Sequence, residues 1–249
     1  MIEFYPDLIV KRQRHVVEKL QEPSKYNSVG GLTDLSAEGA AVEIWHPGSW
    51  NVRRIALHFS SDASKSCAVS ICRGAGVVSG RNDTMWFRSD LNGAGGLPPQ
   101  SVTIPAGFYT GDGLAAALKA RLDAVTGFSS VAPWTVTYSV STGIFSIVPS
   151  AGHVQFYSTN PVVPGVRSRS TAGRMFGLTA NAAMSGAISS DSPVAGLGVS
   201  TVYISTAATA TDVVATNEIS MTSDNALIIA CEAIASNMAY EVVYETLDI

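Results

Sequence analysis

Apolar and polar side chains alternate in short runs along most of this chain. VEIWH (42–46), VRRIALHFS (52–60), CAVSIC (67–72) and TMWFR (84–88) are rich in β-branched and aromatic residues, and the turn formers PGS, SSDASKS, GAG and SGRND bound them. Such runs predict strands, and their spacing suits packed antiparallel sheets better than strand–helix–strand units. Trp134, Val136, Tyr138 and Val140 alternate with Thr135, Thr137 and Ser139, and Ser141-Thr142-Gly143 leads into IFSIVP (144–149), the pattern of a hairpin with a bulged turn. VSTVYIST (199–206), NEISM (217–221), ALIIACEAI (226–234) and MAYEVVYET (238–246) predict the last strands. The two-residue period gives way once. In TGDGLAAALKARLDAVTG, Leu114, Leu118, Leu122 and Val125 fall on one helical face, which predicts an amphipathic helix over about residues 112–125. Thr110 or Asp112 is placed to cap it and Gly127 to end it. The stretch 158–198 reads as loop, with AGRMFGL (172–178) as a single helical turn inside it.

The organisation predicted is an N-terminal arm or edge segment over 1–41 and a mainly β, antiparallel sandwich body over 42–249 with that one helix. The arm ends in NSVGGLTDLSAEGAA, a Gly/Ser-containing stretch read as a linker. Before it, Phe4, Tyr5, Leu8 and Ile9 stand beside Lys11, Arg12 and Arg14, so one segment offers both apolar area and positive charge. These seven residues are the candidate assembly interface.

Charge sharpens this picture. Only 14% of the 249 residues are charged and 46% are hydrophobic, which excludes a disordered chain and a coiled coil. The net charge of −4 gives no support to direct nucleic-acid recognition. All 16 basic residues fall within 1–174, against 12 of the 20 acids, a formal +4; residues 175–249 hold the other eight acids and no base, a formal −8. Between two copies, the acidic end of one could meet the basic start of the other. No membrane span is expected, because the low-charge region 175–215 is broken by Gly177, Gly186, Pro193, Gly196 and Gly198. The N-terminus lacks the apolar run of a signal peptide. Three cysteines make no disulfide framework; Cys67 and Cys72, five apart, point to opposite faces of a strand, and all three are read as reduced, buried thiols.

A search for chemistry returns little. There is no G-x-S-x-G turn for a nucleophile and no C-x-x-C or H-E-x-x-H ligand pair. His15, His46, His58 and His153 have no partner at ligand spacing, and GAGVVSG (74–80) lacks the Lys-Ser/Thr of a phosphate cradle. No catalytic, cofactor-binding or metal residue is therefore assigned, no cofactor is expected, and the chain is read as a non-enzyme. Trp45, Trp50, Trp86, Phe87, Tyr109 and Trp134 could stack on sugars but fit core packing better; Trp50, beside Pro47-Gly48-Ser49, is the one expected at the surface.

One order of motifs stands out over residues 101–178. Ile104-Pro105-Ala106-Gly107-Phe108-Tyr109 precedes the helix with Leu114, Leu118 and Leu122. Thr142-Gly143-Ile144-Phe145-Ser146-Ile147 follows, then VQFYST (154–159), then Met175-Phe176-Gly177-Leu178. This order is similar to a pattern in structural proteins of double-stranded DNA viruses and phages. The resemblance implies a β-sandwich body of jelly-roll type in a capsid, vertex or appendage subunit of a virus particle, a phage before other viruses. The protein would be made in the host cytoplasm, reside in the virion, and have copies of itself and other virion proteins as partners. The alternative is a receptor- or carbohydrate-binding sandwich of a tail fibre or spike, with a glycan or receptor as partner; a third reading, a glycan hydrolase, needs two carboxylates across a cleft.

Overall fold

A computed structural model describes residues 26–34, 41–59, 65–89, 99–125, 132–157, 170–208, 219–231 and 237–247. The chain divides into two compact units. The first comprises Met1–Ile71, Thr201–Thr222 and Ala226–Ile249; the second comprises Cys72–Ser200 and Ser223–Asn225. The second unit is thus an insertion in the sequence of the first.

The first unit is built from eight strands: β1 (Tyr26–Asp34), β2 (Ala41–Trp45), β3 (Ser49–Phe59), β4 (Lys65–Arg73), β13 (Ser200–Ala208), β14 (Ile219–Met221), β15 (Asn225–Cys231) and β16 (Asn237–Leu247). They form two four-stranded sheets, ordered β1-β16-β3-β14 and β13-β4-β15-β2. Strands β1 with β16, β16 with β3, β3 with β14 and β15 with β2 all pair antiparallel. Four strands run out and four return, so that β16 neighbours β1, β15 neighbours β2, β14 neighbours β3 and β13 neighbours β4. Alternation sends one face of each sheet into a shared apolar cluster. Trp50, Val52, Ile55, Leu57, Ile219, Met221, Met238 and Val242 enter it from the first sheet, and Ile44, Val69, Leu227 and Ile229 from the second. The strand β1 takes up the first half of the stretch expected to be a linker. Its two glycines lie against β16, where a Cβ on Gly30 would come within 2.7 Å of the Tyr240 carbonyl.

Pairing of β3 with β16 shifts between Val243 and Tyr244, which leaves Arg53 as an extra residue between Val52 and Arg54. Such a bulge interrupts the alternation. Arg53 and Arg54 pair with Glu245 and Glu241 respectively, two carboxylates four apart on β16. Two of the eight C-terminal acids therefore find their bases within the same chain. Both glutamates are buried although they alternate with the core-facing positions of β16.

The second unit holds β5 (Ala75–Val77), β6 (Thr84–Ser89), β7 (Gln100–Thr103), β8 (Gly107–Tyr109), α1 (Gly111–Asp123), β9 (Thr135–Ser139), β10 (Ile144–Val148), β11 (Val154–Tyr157) and β12 (Ile188–Ser189), with a 3-10 turn at Gly173–Phe176. Its sheets are ordered β12-β10-β9, β11-β6-β7 and β5-β8. Helix α1 begins where the sequence places it: the Thr110 hydroxyl accepts from the Gly113 N–H. It ends at Ala124, whose N–H donates to the Leu122 carbonyl; Gly127 lies outside the described residues. Leu114, Leu118 and Leu122 are fully buried, and the helix packs on β9. At the C-terminal end, the Asp123 carboxylate accepts from the Trp134 N–H at 2.7 Å and pairs with Lys119. That bond ties the helix to the start of the hairpin. The motif pieces spread over 101–178 converge in one cluster, where Ile104, Leu114, Leu118, Leu122, Phe145, Ile147, Phe176 and Leu178 are all buried. Tyr138 and Phe145 lie 4.7 Å apart between ring centroids, and Phe145 and Phe176 5.0 Å apart.

Candidate functional site

The expected assembly residues Phe4, Tyr5, Leu8, Ile9, Lys11, Arg12 and Arg14 lie outside the described residues. The aromatic residues Trp45, Trp50, Trp86, Phe87, Tyr109 and Trp134 lie among the described residues. Trp50 is fully buried, contrary to its expected exposure. The turn Pro47-Gly48-Ser49 sets the backbone path, but residue parity on β3 puts Trp50 on the same inner face as Val52. There it meets Tyr244 edge-on at 5.5 Å and His46 at 6.3 Å. Trp134 is likewise buried, between Phe87 and Phe156, and Trp45 and Trp86 are half-buried. These aromatic residues pack more than they display. His46 accepts from the Gly48 N–H through Nδ1 at 3.0 Å, a local turn bond. Cys72 is a free, buried thiol; the side chains of Cys67 and Cys231 lie outside those described.

One concave surface of the second unit gathers polar groups that the sequence did not single out. An open cleft of about 440 Å³ is lined by Arg73, Arg174, Gly177, Thr179, Ser192 and the segment 193–195. Its wall is held by backbone bonds. Gly177 adopts φ +67°, and its carbonyl accepts from the Asp191 and Ser192 N–H groups at 3.1 and 3.0 Å. The Ser190 hydroxyl donates to the Phe176 carbonyl at 2.7 Å, and the Val194 N–H donates to the Gly143 carbonyl at 2.7 Å. The Tyr138 hydroxyl donates to the Val194 carbonyl at 2.8 Å. The segment 190–194 is thus pinned to the β9–β10 hairpin.

Asp191 supplies the negative charge beside the cleft. Its carboxylate accepts from the Thr179 N–H (2.8 and 3.1 Å) and the Ala180 N–H (3.1 Å). Burial pulls this carboxyl up, but those donors outweigh it and hold it below the usual aspartate range. The cations have no such partner: among the described residues, neither Arg73 nor Arg174 forms an ion pair. Two guanidinium forks with hydroxyl groups nearby suit a carboxylate or another oxyanion. No histidine or cysteine is among the residues that line the cleft beside Ser192. The sequence carried one faint signal for it: Arg174 is the last base before the base-free third.

Among the described residues, no three His, Cys, Asp or Glu side chains come together to hold a metal. No helix among them is long and apolar enough to cross a membrane. No family model, curated protein or solved structure matches the chain.

Proposed function

We propose that this chain is a self-assembling structural subunit of a virus particle, in the first instance a phage, with a jelly-roll body. The strand order of the first unit carries the reading. Renumbered one to eight in chain order, its sheets read 1-8-3-6 and 5-4-7-2. That is the order made by folding a four-stranded hairpin over on itself, the double Greek key of jelly rolls, an architecture that recurs in viral capsid domains. The fold alone does not fix a function, since lectins and cupins use it too. The motif order over 101–178 adds the resemblance to virion proteins, and it comes from a different part of the chain. The sequence before Tyr26 adds an arm segment for a neighbour, with Phe4, Tyr5, Leu8 and Ile9 as its apolar contacts.

Sedimentation velocity and negative-stain electron microscopy of the purified full chain test this. The expected result is a closed, symmetric oligomer. Deleting residues 1–25 spares β1 and should leave a folded body that has lost or reduced its assembly. A full chain that sediments as a monomer at every accessible concentration refutes the proposal.

A further inference from the structure

Among the described residues, the two sheets of the first unit end in four edges: β1 and β14 in one, β13 and β2 in the other. Edge strands expose unpaired backbone groups and are normally blunted by shortness, charge, a bulge or proline. Three of these edges are blunted. β14 has only three residues, β2 carries Glu43, and β1 ends in the charged Asp34. β13 has none of these devices. It is nine residues long, STVYISTAA, and lies within residues 192–211, which carry no formal charge. Val202 is 58% exposed, and Val199, just before the strand, is 54% exposed.

We propose that β13 pairs antiparallel with β13 of a second copy, about a two-fold axis at Tyr203. The sequence of the strand is self-complementary in that register. Ser200 falls opposite Thr206, Thr201 opposite Ser205, Val202 opposite Ile204, and Tyr203 opposite itself. Every pair is uncharged, and cross-strand pairs of β-branched and hydroxyl side chains are favourable. A neighbour shifted by two residues would keep Ile204 or Val202 opposite itself but set Val202 opposite Thr206 or Ser200 opposite Ile204, pairing an apolar with a hydroxyl side chain.

The backbone supports the same register. The Arg73 N–H donates to the Val199 carbonyl at 3.1 Å, which turns that carbonyl towards β4. Regular alternation from there directs the N–H and C=O groups of Ser200, Val202, Ile204 and Thr206 to the open edge. Those four residues are the ones that pair with each other across the axis. Each hydrogen-bonded pair exchanges two bonds, so the four pairs of the dimer make about eight. Tyr203 then occupies a non-hydrogen-bonded position, where opposing Cα atoms approach to about 4.5 Å. The exposed Val202 gains an apolar neighbour in Ile204 of the other copy. An isologous two-fold contact also closes on itself, so an unblunted edge of this kind ends in a dimer rather than a fibre.

This inference supplies a contact for the self-association proposed above and rests on it. Single-cysteine substitutions in the full chain test the register under mild oxidation, with the unsubstituted chain as the background for Cys67, Cys72 and Cys231. Tyr203→Cys should give a disulfide-linked dimer on a non-reducing gel. Thr201→Cys alone should not, but should link when mixed with Ser205→Cys. Equal linking by Tyr203→Cys and Thr201→Cys alone overturns the register. Because Tyr203→Cys could unfold the chain, the exposed Val202→Lys provides a second measurement: it should keep the fold and raise the dimer dissociation constant about tenfold or more. An unchanged constant overturns the contact. Absent linking in a chain that still sediments as a multimer overturns this contact and leaves self-assembly standing; a monomer throughout overturns both.

Discussion

Leu118→Ala gives the sharpest check on the second unit. Leu118 is fully buried at the centre of the helix face, between Leu114 and Leu122. The substitution removes three carbons, which at about 0.8 kcal/mol each loses about 2.4 kcal/mol of transfer free energy. The helix is fixed at one end by the Thr110 cap and at the other by the bond from Trp134 to Asp123, so its backbone has little freedom to close the gap. A residual cavity of about 40 Å³ adds about 1 kcal/mol. The expected loss is about 3–4 kcal/mol in urea unfolding, with an unchanged m-value. Because each unit has its own apolar cluster, hydrogen exchange by mass spectrometry should localise the loss. Peptides from α1 and the β9–β10 hairpin should lose protection, and those from β3 and β16 should not. Ala120→Ser, on the exposed helix face, serves as control with a change below about 0.5 kcal/mol. A loss for Leu118→Ala no larger than that control would refute the packing of α1.

Three further outcomes follow from single contacts. Gly177→Ala should cost about 2 kcal/mol or more in the same unfolding assay, since φ is +67° and a Cβ would come within 2.0 Å of the Ser192 carbonyl oxygen; no measurable loss would mean that the segment at 190–194 is not held as described. Burial raises the Asp123 carboxyl, but Lys119 and the Trp134 N–H outweigh it and leave it lowered. Its contribution is therefore present above the unfolded aspartate pKa, near 3.9, and is lost as pH falls through the lower folded value. Asp123→Asn should flatten the acid limb of a stability–pH curve, and an unchanged limb counts against the linkage. Arg54→Ala leaves the buried Glu241 without its cation and should cost about 1–3 kcal/mol, the partial exposure of Arg54 placing it below a fully buried pair; a double-mutant cycle with Glu241→Ala should show coupling, and strict additivity would deny the pair any energetic role.

The strands most legible in the sequence were those with strong alternation. TVTYS and IFSIV, and the β-branched runs of β3, β4, β15 and β16, sit where their patterns put them, and helix α1 agrees with its leucine spacing within a residue or two. The strand β1 was hidden because Ser28, Gly30 and Gly31 carry almost no hydrophobic signal; its pairing depends on the neighbour β16 rather than on its own side chains. Trp50 was misread because a turn signal says where the backbone bends, not which face the next side chain takes. The junctions of the two units fall at Ile71–Cys72, inside β4, at Ser200–Thr201, at the start of β13, and on either side of Ser223–Asn225, so no change of composition marks them. The cleft at Arg73 and Arg174 was invisible for another reason: its two cations are about a hundred residues apart, and only the turn at Gly177 and the pinned segment after Asp191 bring the lining together.

The insertion between β4 and β13 has a consequence for how this chain can change. Those two strands are neighbours in one sheet, and the Gly198 N–H donates to the Arg73 carbonyl at 2.7 Å. The chain therefore leaves the eight-stranded framework and rejoins it across a single strand spacing, about 4.8 Å. In topological terms the whole second unit is a hairpin loop that happens to be over a hundred residues long. It can be lengthened, exchanged or replaced by a short turn without rethreading any strand of the first unit. Ser223–Asn225 belong to the second unit as well, and the Gly74 N–H donates to the Asp224 carbonyl, so among the described residues these three would need new partners.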